Sequence, residues 1–304
     1  MGFIRNTIYG LMTALIFVST VLAEVTSVND KDQSSKSIYG QDNRQEPYEV
    51  KDEQIEALSR ATAAIFPVYR LRPHKKGFTK ASIQSVGQVR RLCIDEKFRD
   101  QPAGPYCSGV LVGKDVVLTS GHCVKLGALA CWGINIIFDY RKDTPERNPW
   151  IIDNKNIYSC AKIISTSSKD GLDYALIRLD RPVQNRKPIE VEVSLPAVQS
   201  GDRLVMLGHP FGLPQKIVTE GTVRSIGTAN FLTNLDALYN SSGSPVFSAQ
   251  NKLIGLLVTS KNDLIYDEKK LCNNIKRCED NNCEGEVVQS IEPLVKLIHQ
   301  IKTQ

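Results

Sequence analysis

Beyond Pro67, the apolar residues of this chain fall in short runs that are bounded by glycine, proline, asparagine and aspartate. Runs of this length, with turn residues such as those at 113–115 between two of them, are typical of the strands of an all-β sandwich or barrel. Strands do not alternate with long helices, so the pattern predicts an all-β fold. The clearest runs are residues 108–112, 116–119, 174–179, 204–207, 216–223 and 253–259.

The amino terminus has the features of an export signal. An apolar run over residues 8–22 follows Arg5 and ends at Ala23, with Val21 two positions earlier. This arrangement suits signal peptidase, so we expect a signal peptide over residues 1–23 and a secreted or periplasmic protein. An uncleaved membrane anchor is the alternative, but the run is short for a bilayer span.

Eight cysteines follow that cleavage site, and an even number in an exported chain indicates disulfide bonds. They are Cys93, Cys107, Cys123, Cys131, Cys160, Cys272, Cys278 and Cys283. The last three are candidate zinc ligands, but their separations of six and five residues lack the paired spacing of structural zinc sites, and no histidine is nearby. We therefore expect up to four disulfides, with room for one local bridge among the last three cysteines, and no metal.

The composition excludes several other classes of protein. Of the 304 residues, 41% are hydrophobic and 23% are charged, which is typical of a globular chain and not of a disordered or collagenous one. The formal charge is +5, with 38 Lys and Arg against 33 Asp and Glu, but the sequence has no basic block of the kind that binds nucleic acid. We therefore expect no nucleic-acid partner.

Residues 24–47 are rich in polar and charged side chains and contain few large apolar groups, so their burial cannot offset the entropy of ordering. We interpret them as a leader or propeptide ahead of a domain over residues 48–304. Within that domain, residues 52–66 have a helical apolar spacing that Pro67 ends, which predicts a short connecting helix. Another apolar stripe predicts a helix near Pro293, which we expect to dock on the body, with binding of a partner as the alternative.

The first of three segments that carry chemistry runs from Cys107 to Cys123. A predicted β-hairpin returns the chain there, so that Cys107 approaches Cys123 and the two can form a disulfide. That bond would fix the backbone of His122, which directly precedes Cys123 and follows an apolar strand. A general base must be held in this way, so His122 is a candidate base, although a lone histidine is more often structural.

The other two segments contain Asp173 and Ser242. Asp173 opens a strand of core residues over 173–180, where an aspartate alone would be a turn residue or a strand cap. Ser242 lies between small residues ahead of Pro245, so its hydroxyl can point outward while nearby backbone N–H groups converge on one point. A serine nucleophile with an oxyanion hole needs that arrangement, and a flexible serine-rich loop is the alternative.

Together and in this order, the three segments resemble the motifs of the trypsin-like (chymotrypsin-fold) serine proteases. His122 matches the histidine of the family's Thr-Ala-Ala-His-Cys motif, and Asp173 matches its Asp-hydrophobic-Ala-Leu strand. Ser242 matches the serine of Gly-Asn/Asp-Ser-Gly-Gly/Ser-Pro. The Ser-Gly-Ser-Pro-Val sequence that begins at Ser242 is most similar to the secreted bacterial branch that includes the glutamyl endopeptidases, and further matches occur at 208–212 and 253–255.

The resemblance implies two packed antiparallel six-stranded β-barrels with a C-terminal helix. The active site would lie between them, with His122 and Asp173 from the first barrel and Ser242 from the second. Ser242 would attack a peptide carbonyl, His122 would accept its proton, and Asp173 would stabilise the imidazolium. The backbone N–H groups of Asn240 and Ser242 would bind the oxyanion. The resemblance further implies a monomeric endopeptidase that acts on proteins or peptides and needs no cofactor.

Two residues of the serine motif depart from the family's usual pattern. Asn240 replaces a glycine at a position whose backbone often needs a positive φ, and asparagine is the other residue that best tolerates that region. Ser241 replaces the aspartate that pairs with the freed amino terminus in trypsin-type enzymes, so we expect no trypsinogen-like switch. Residues 38–44 resemble the mature start of the glutamyl endopeptidase-like group, and removal of residues 24–37 is our hypothesis for activation of a zymogen.

Three residues are candidates for substrate binding: Asp236, Thr259 and Ser260. Asp236 lies six residues before Ser242, the offset of the acid in trypsin's primary pocket, and a carboxylate there would favour Lys or Arg. The alternative, which we favour, is that Asp236 caps a turn or makes a local hydrogen bond. Leu257 stands where glutamate-cleaving relatives have histidine, which argues against a preference for glutamate.

Two other functions compete with an active protease. A non-catalytic protein of the same fold would act as a secreted binding protein or adhesin, and Asn240 is the feature that favours it. An esterase of another fold would carry its nucleophile before its acid and its histidine, whereas the chain order here is His122, Asp173, Ser242. His209 lies in a Gly-His-Pro turn sequence, which indicates a structural histidine and not a second base.

Overall fold

The computed structural model describes residues 38–125, 127–169, 171–195, 197–259, 263–279 and 283–302. The predicted signal peptide, residues 24–37 of the predicted leader, and Ser260 lie outside the described residues. The strands are β1 (Ile38–Tyr39), β2 (Thr62–Pro67), β3 (Leu71–Pro73), β4 (Phe78–Ala81), β5 (Cys107–Gly113), β6 (Val116–Thr119), β7 (Ile134–Phe138), β8 (Ile151–Asp153), β9 (Ile157–Lys169), β10 (Leu172–Leu179), β11 (Arg203–Gly208), β12 (Lys216–Ile226), β13 (Asn230–Thr233), β14 (Pro245–Ser248), β15 (Leu253–Thr259), β16 (Leu264–Asp267), β17 (Cys272–Ile275), β18 (Arg277–Cys278) and β19 (Glu286–Ser290). The α-helices are α1 (Glu53–Ala61), α2 (Val86–Arg90), α3 (Ala130–Gly133) and α4 (Val295–Lys302).

The strands form two closed barrels, each of six antiparallel strands. The strand order is β10-β6-β5-β2-β7-β9 in the first barrel and β11-β12-β13-β19-β15-β14 in the second. Closing a sheet on itself removes its exposed edges, so the backbone N–H and C=O groups of the strands can pair within each barrel. This architecture confirms the fold that was predicted from the sequence.

Strand β11 shows why a continuous apolar run can serve two cores. Successive side chains of a strand point to opposite faces. Leu204 and Met206 enter the cluster inside the second barrel, whereas Val205 and Leu207 join the larger cluster that fills the first barrel. Both faces of β11 are therefore covered, and the two barrels are packed together through this strand.

The C-terminal helix α4 docks on the body, as predicted. Val295, Ile298 and Ile301 are buried and belong to the same cluster as the interior of the first barrel. The apolar stripe is thus covered by the protein's own core, and the partner-binding alternative does not apply.

Helix α1 is shorter than the sequence predicted. It follows Asp52, whose carboxylate accepts hydrogen bonds from the N–H groups of Gln54 and Ile55, and it ends at Ala61. The next residues, Thr62–Pro67, form β2, which is buried throughout and pairs with β5 and β7. Pairing on both sides within the barrel outweighs the local helical spacing, which is a weak preference by comparison.

Residues 38–47, which the sequence analysis assigned to the leader, are part of the folded body. Strand β1 pairs in parallel with β18, and the side chain of Ile38 is fully buried. Glu46 and Lys216 form a buried ion pair at 3.1 Å. The folded body therefore includes residues that the predicted boundary at 47 leaves out. This segment is ordered by backbone pairing and by a buried ion pair, and neither can be recognised by counting large apolar side chains in the sequence.

All eight cysteines are disulfide-bonded. The bridges are Cys93–Cys272, Cys107–Cys123, Cys131–Cys160 and Cys278–Cys283. The three cysteines that were weighed as zinc ligands are thus all in disulfides, and one of these bridges is local. Among the helices that the structure describes, none has the length and apolar character needed to cross a membrane.

Candidate active site

His122 and Asp173 come together at neighbouring strand ends of the first barrel. His122 lies in a short 3₁₀ helix, Gly121–Val124, that follows β6, and Asp173 is the second residue of β10, which pairs with β6. The Asp173 carboxylate accepts a hydrogen bond from the His122 backbone N–H at 2.8 Å through Oδ1, and its Oδ2 lies 2.5 Å from His122 Nδ1. Since a carboxylate can only accept, Nδ1 carries the proton, and Nε2 is the ring atom left to act as a base.

Gly121 is a functional position that the sequence analysis missed. A Cβ atom there would lie 2.1 Å from the Ser167 carbonyl oxygen and 2.9 Å from that of Tyr174. Because glycine has no side chain, the backbone at Gly121 can lie this close to β9 and β10. The close approach places the next residue, His122, beside Asp173. A glycine directly before the candidate histidine was the available signal.

Ser242 lies in a turn that is bonded to the first barrel. Its carbonyl oxygen accepts a hydrogen bond from the Ser108 N–H of β5 at 2.8 Å and lies 4.0 Å from the sulfur of Cys123, the neighbour of His122. Gly243 has φ +80°, and a Cβ atom there would lie 2.2 Å from the Ser108 carbonyl oxygen. In the part of the chain that the structure describes, neither the Ser242 hydroxyl nor His122 Nε2 has a hydrogen-bond partner.

In the same turn, the backbone N–H groups of some residues donate hydrogen bonds, whereas those of their neighbours do not. Ser241 donates to the Leu238 carbonyl at 2.9 Å, and Gly243 donates to the Leu257 carbonyl at 2.8 Å. The N–H groups of Asn240 and Ser242 have no acceptor among the described residues. Two donors beside a free hydroxyl can stabilise negative charge on an oxygen that is attached to the attacked carbon.

Asn240 adopts the left-handed backbone expected from the sequence. Its φ is +76°, and its side-chain amide donates a hydrogen bond to the Pro105 carbonyl at 3.3 Å. Asparagine tolerates this region better than other residues with a side chain, so the turn keeps its shape without glycine.

Asp236, a candidate substrate-binding residue, lies in the interior and is hydrogen-bonded to the amino-terminal segment. The side chain is fully buried, with Oδ1 accepting from the Tyr39 N–H at 2.8 Å and Oδ2 from the Asn43 N–H at 2.9 Å. Burial raises the pKa of Asp236 to about 7, against the opposing effect of these two hydrogen bonds. Asp236 therefore anchors the amino-terminal segment, 38–44. Its hydrogen-bond partners are distant in sequence and do not belong to its own turn.

The other two candidate substrate-binding residues are Thr259 and Ser260. Thr259 ends β15 in register with Val287, and its neighbour Ser260 is outside the described residues. Leu257, which the sequence analysis compared with a histidine of glutamate-cleaving proteases, is fully buried in the cluster inside the second barrel.

His209 is buried and has a structural role in its turn. Its Nδ1 lies 3.0 Å from the Leu213 carbonyl oxygen, and burial lowers its pKa to about 3. A histidine that stays neutral in the interior does not serve as a second base. The donor atoms of Cys107, His122 and Cys123 also lie within 4.8 Å of one another, but both sulfurs are in the disulfide and are not thiolate ligands.

Comparison with known proteins gives one matching family model. Residues 107–256 match the trypsin-like peptidase domain, a range that contains His122, Asp173 and Ser242.

Two curated venom proteins are similar to parts of the chain. The venom plasminogen activator Haly-PA of Gloydius brevicauda is 31% identical over 109 residues, which are 35% of this chain and 40% of that protein. The thrombin-like enzyme acutobin of Deinagkistrodon acutus is 34% identical over 91 residues, which are 30% of this chain and 32% of that protein. The matched region thus spans less than half the length of either relative.

A solved structure described as a Glu endopeptidase in complex with MPD also superposes on the chain. Its sequence identity is 14% and its TM-score is 0.49, over 88% of this chain and 100% of the other.

Proposed function

We propose that this chain, whose residues 107–256 match the trypsin-like peptidase domain, is a secreted serine endopeptidase with Ser242, His122 and Asp173 as its catalytic triad. The observation that carries the proposal is the bond from His122 Nδ1 to Asp173, which leaves Nε2 without a partner among the described residues. It is supported by Ser242, whose carbonyl oxygen lies 4.0 Å from the sulfur of Cys123, the residue next to His122. Its substrates are proteins or peptides, and it acts as a monomer without a cofactor.

In the proposed reaction, the Ser242 oxygen attacks the carbonyl carbon of a peptide bond while His122 Nε2 accepts the hydroxyl proton. The imidazolium that forms is stabilised by Asp173 and then gives the proton to the leaving amine. The acyl-enzyme that remains is hydrolysed when His122 accepts a proton from water and the water oxygen attacks the ester.

The N–H groups of Asn240 and Ser242 form the proposed oxyanion hole. They donate to the carbonyl oxygen as it gains negative charge in the transition state, and each such donor is worth ~3 kcal/mol in sites of this kind. The positive φ of Asn240 supports this role, because it turns the backbone without a glycine.

The four disulfides support secretion, since such bonds persist in oxidising compartments. We also propose that removal of residues 24–37 activates the protein, leaving the buried segment that starts at Ile38 in place. Mass spectrometry of the active protein tests this step. An active form that begins at Glu24 would refute it.

A fluorophosphonate probe, which bonds covalently to an activated serine, tests the proposed function directly. Residues 24–304 are produced in an oxidising compartment, incubated with the probe before and after trimming towards Ile38, and measured by intact mass. We expect labelling of the wild type and none of Ser242→Ala or His122→Ala.

Ser244→Ala is the matched control. Ser244 lies in the same turn, but its hydroxyl is buried without a hydrogen-bond partner among the described residues, so its removal costs little and labelling should persist. Absence of labelling in the folded wild type would refute the protease and leave the secreted binding protein as the better interpretation.

A further inference from the structure

Gln289 reaches from the second barrel to the proposed catalytic acid of the first. It lies on β19, paired with Asn230 of β13 and Leu256 of β15, and it is 1% exposed. Its side-chain Oε1 accepts a hydrogen bond from the backbone N–H of Asp173. The two residues are 116 positions apart in the chain.

Asp173 needs such a partner because of its place on β10. Strand β6 pairs with β10 from Ala175 onward, so Asp173 lies beyond the end of that ladder. Both carboxylate oxygens of Asp173 are already engaged by His122. On one side Asp173 is paired with Ser168 of β9. On the side that β6 leaves open, its backbone N–H is the group through which the second barrel can help to fix the acid.

The amide of Gln289 has only one orientation that satisfies Asp173. Its Nε2 has no hydrogen-bond partner among the described residues, so the bond from Oε1 to Asp173 is what orients the group. A flipped amide would bring a donor against the Asp173 N–H. On the other side of His122, Ser120 Oγ donates to the Leu257 carbonyl of β15 at 3.2 Å, so the second barrel holds the chain on both sides of the His–Asp pair.

We propose that Gln289 is a positioning residue of the active site, which holds Asp173 across the barrel interface so that the carboxylate stays on His122 Nδ1. The proposal rests on the proposed function, because it concerns the triad of that reaction. Gln289 touches neither the substrate nor the reacting atoms, and it acts through Asp173.

Gln289→Met and Gln289→Glu separate this role from packing. Methionine has a similar length but no acceptor for the Asp173 N–H, whereas glutamate keeps an acceptor oxygen in the same place. We expect Gln289→Met to lower kcat by about 10- to 100-fold, as small misplacements of catalytic groups do, with KM changed by less than about twofold. Gln289→Glu keeps the acceptor but can add negative charge beside Asp173, so we expect its kcat to lie between those of the wild type and Gln289→Met.

The pH profile provides a readout that a purely structural role would not change. If Asp173 loses its alignment, it stabilises the imidazolium less, so the acidic limb of kcat/KM moves to lower pH in Gln289→Met. Gln215→Met is the matched control. Gln215 is also buried and bonds to a distant element, donating to the Ser59 carbonyl of helix α1 at 3.1 Å, and it has no hydrogen bond to the proposed triad. We expect Gln215→Met to lower the stability of the protein and to leave the acidic limb of the kcat/KM profile at the same pH.

The proposal would be overturned if Gln289→Met had the kcat and the acidic limb of the wild type. It would also be overturned if Gln215→Met shifted the acidic limb of the kcat/KM profile by the same amount as Gln289→Met. Should Gln289→Met not fold, Gln289→Asn, which is one methylene too short, gives the same comparison.

The proton NMR signal of His122 Nδ1–H in a Ser242→Ala background separates the two proposals, because it reports the bond to Asp173 and needs no turnover. A folded wild type without activity refutes the proposed function. The Nδ1–H signal in Gln289→Met still decides the positioning role, which an upfield shift or loss of the signal supports and an unchanged signal refutes.

Discussion

Asn240 makes the turn before Ser242 possible with a side chain in the left-handed region, at φ +76°. Two properties allow this. Asparagine is less strained there than other non-glycine residues, and its amide is bonded to the Pro105 carbonyl. The orientation of the Asn240 N–H, and with it half of the proposed oxyanion hole, depends on this one φ angle.

Replacing Asn240 by glycine and by alanine should therefore have different effects on kcat/KM. Both substitutions remove the bond to Pro105, but only alanine has the Cβ atom that opposes a positive φ, at a cost of about 1–2 kcal/mol. We expect Asn240→Gly to keep kcat/KM, and Asn240→Ala to lose about tenfold or more as the donor moves. Urea denaturation and peptide hydrolysis measure the two effects. Equal activity of the two variants would show that φ at this position does not control the oxyanion hole.

His209 makes the stability of the protein depend on pH. Burial lowers its pKa to about 3 in the folded state, against an ordinary value near 6.5. As the pH falls below about 6.5, the unfolded chain binds a proton that the folded protein does not, so stability is lost by about 1.4 kcal/mol per pH unit towards pH 3. Above about pH 7, the residue is neutral in both states and this dependence vanishes.

His209→Asn tests that dependence, because its amide can replace Nδ1 as the donor to Leu213 without titrating. The difference in unfolding free energy between wild type and variant, measured in urea from pH 4 to pH 8, should change below about pH 6.5 and stay constant above about pH 7. His74→Asn, at an exposed histidine, is the control. A difference that is the same at every pH would contradict the prediction.

At the level of elements, the amino-terminal segment 38–44 is held by a side chain of the second barrel's serine region. Asp236 accepts hydrogen bonds from Tyr39 and Asn43, and β1 pairs with β18. The buried Asp236 carboxylate thus ties this segment to the turn region before Ser242.

Asp236→Ala should release this segment. The N–H groups of Tyr39 and Asn43 lose their acceptor, and a stranded buried donor costs about 1–3 kcal/mol. We expect lower stability in urea and faster hydrogen exchange of these two amides. Asp267→Ala is the matched control, since Asp267 also accepts from two backbone N–H groups, those of Lys269 and Lys270, at an exposed turn where water can replace it. If the two variants were equally stable, Asp236 would not be the anchor.

For the molecule as a whole, the disulfides close loops of very different length. Cys93 and Cys272 are 179 residues apart, whereas Cys278 and Cys283 are separated by 5. The loop-entropy model assigns about 5 kcal/mol to the long bridge and about 2 kcal/mol to the short one. We expect the double replacement of Cys93 and Cys272 by serine to lower the unfolding free energy in urea more than that of Cys278 and Cys283. Equal losses would show that loop length does not set these contributions.

Features that depend on neighbouring residues were predictable from the sequence. The short apolar runs indicated strands because a strand's alternation is a property of a few consecutive residues. The expected bridge from Cys107 to Cys123 and the left-handed turn at Asn240 are also local, and the structure contains both. The helix over 52–66 was only partly right, since β2 takes its form from strands elsewhere in the chain.

Contacts between distant parts of the chain were decided by the tertiary structure. Asp236 meets Tyr39 across 197 residues, and Gln289 meets Asp173 across 116. Neither partner could be deduced from a pattern, because these contacts exist only once both barrels have closed and packed together. The sequence by itself determined the strands, the local turns and the order of the three chemical segments. Barrel closure decided which buried polar groups face one another, because a buried hydrogen bond depends on where two chain segments meet in space and not on either segment alone.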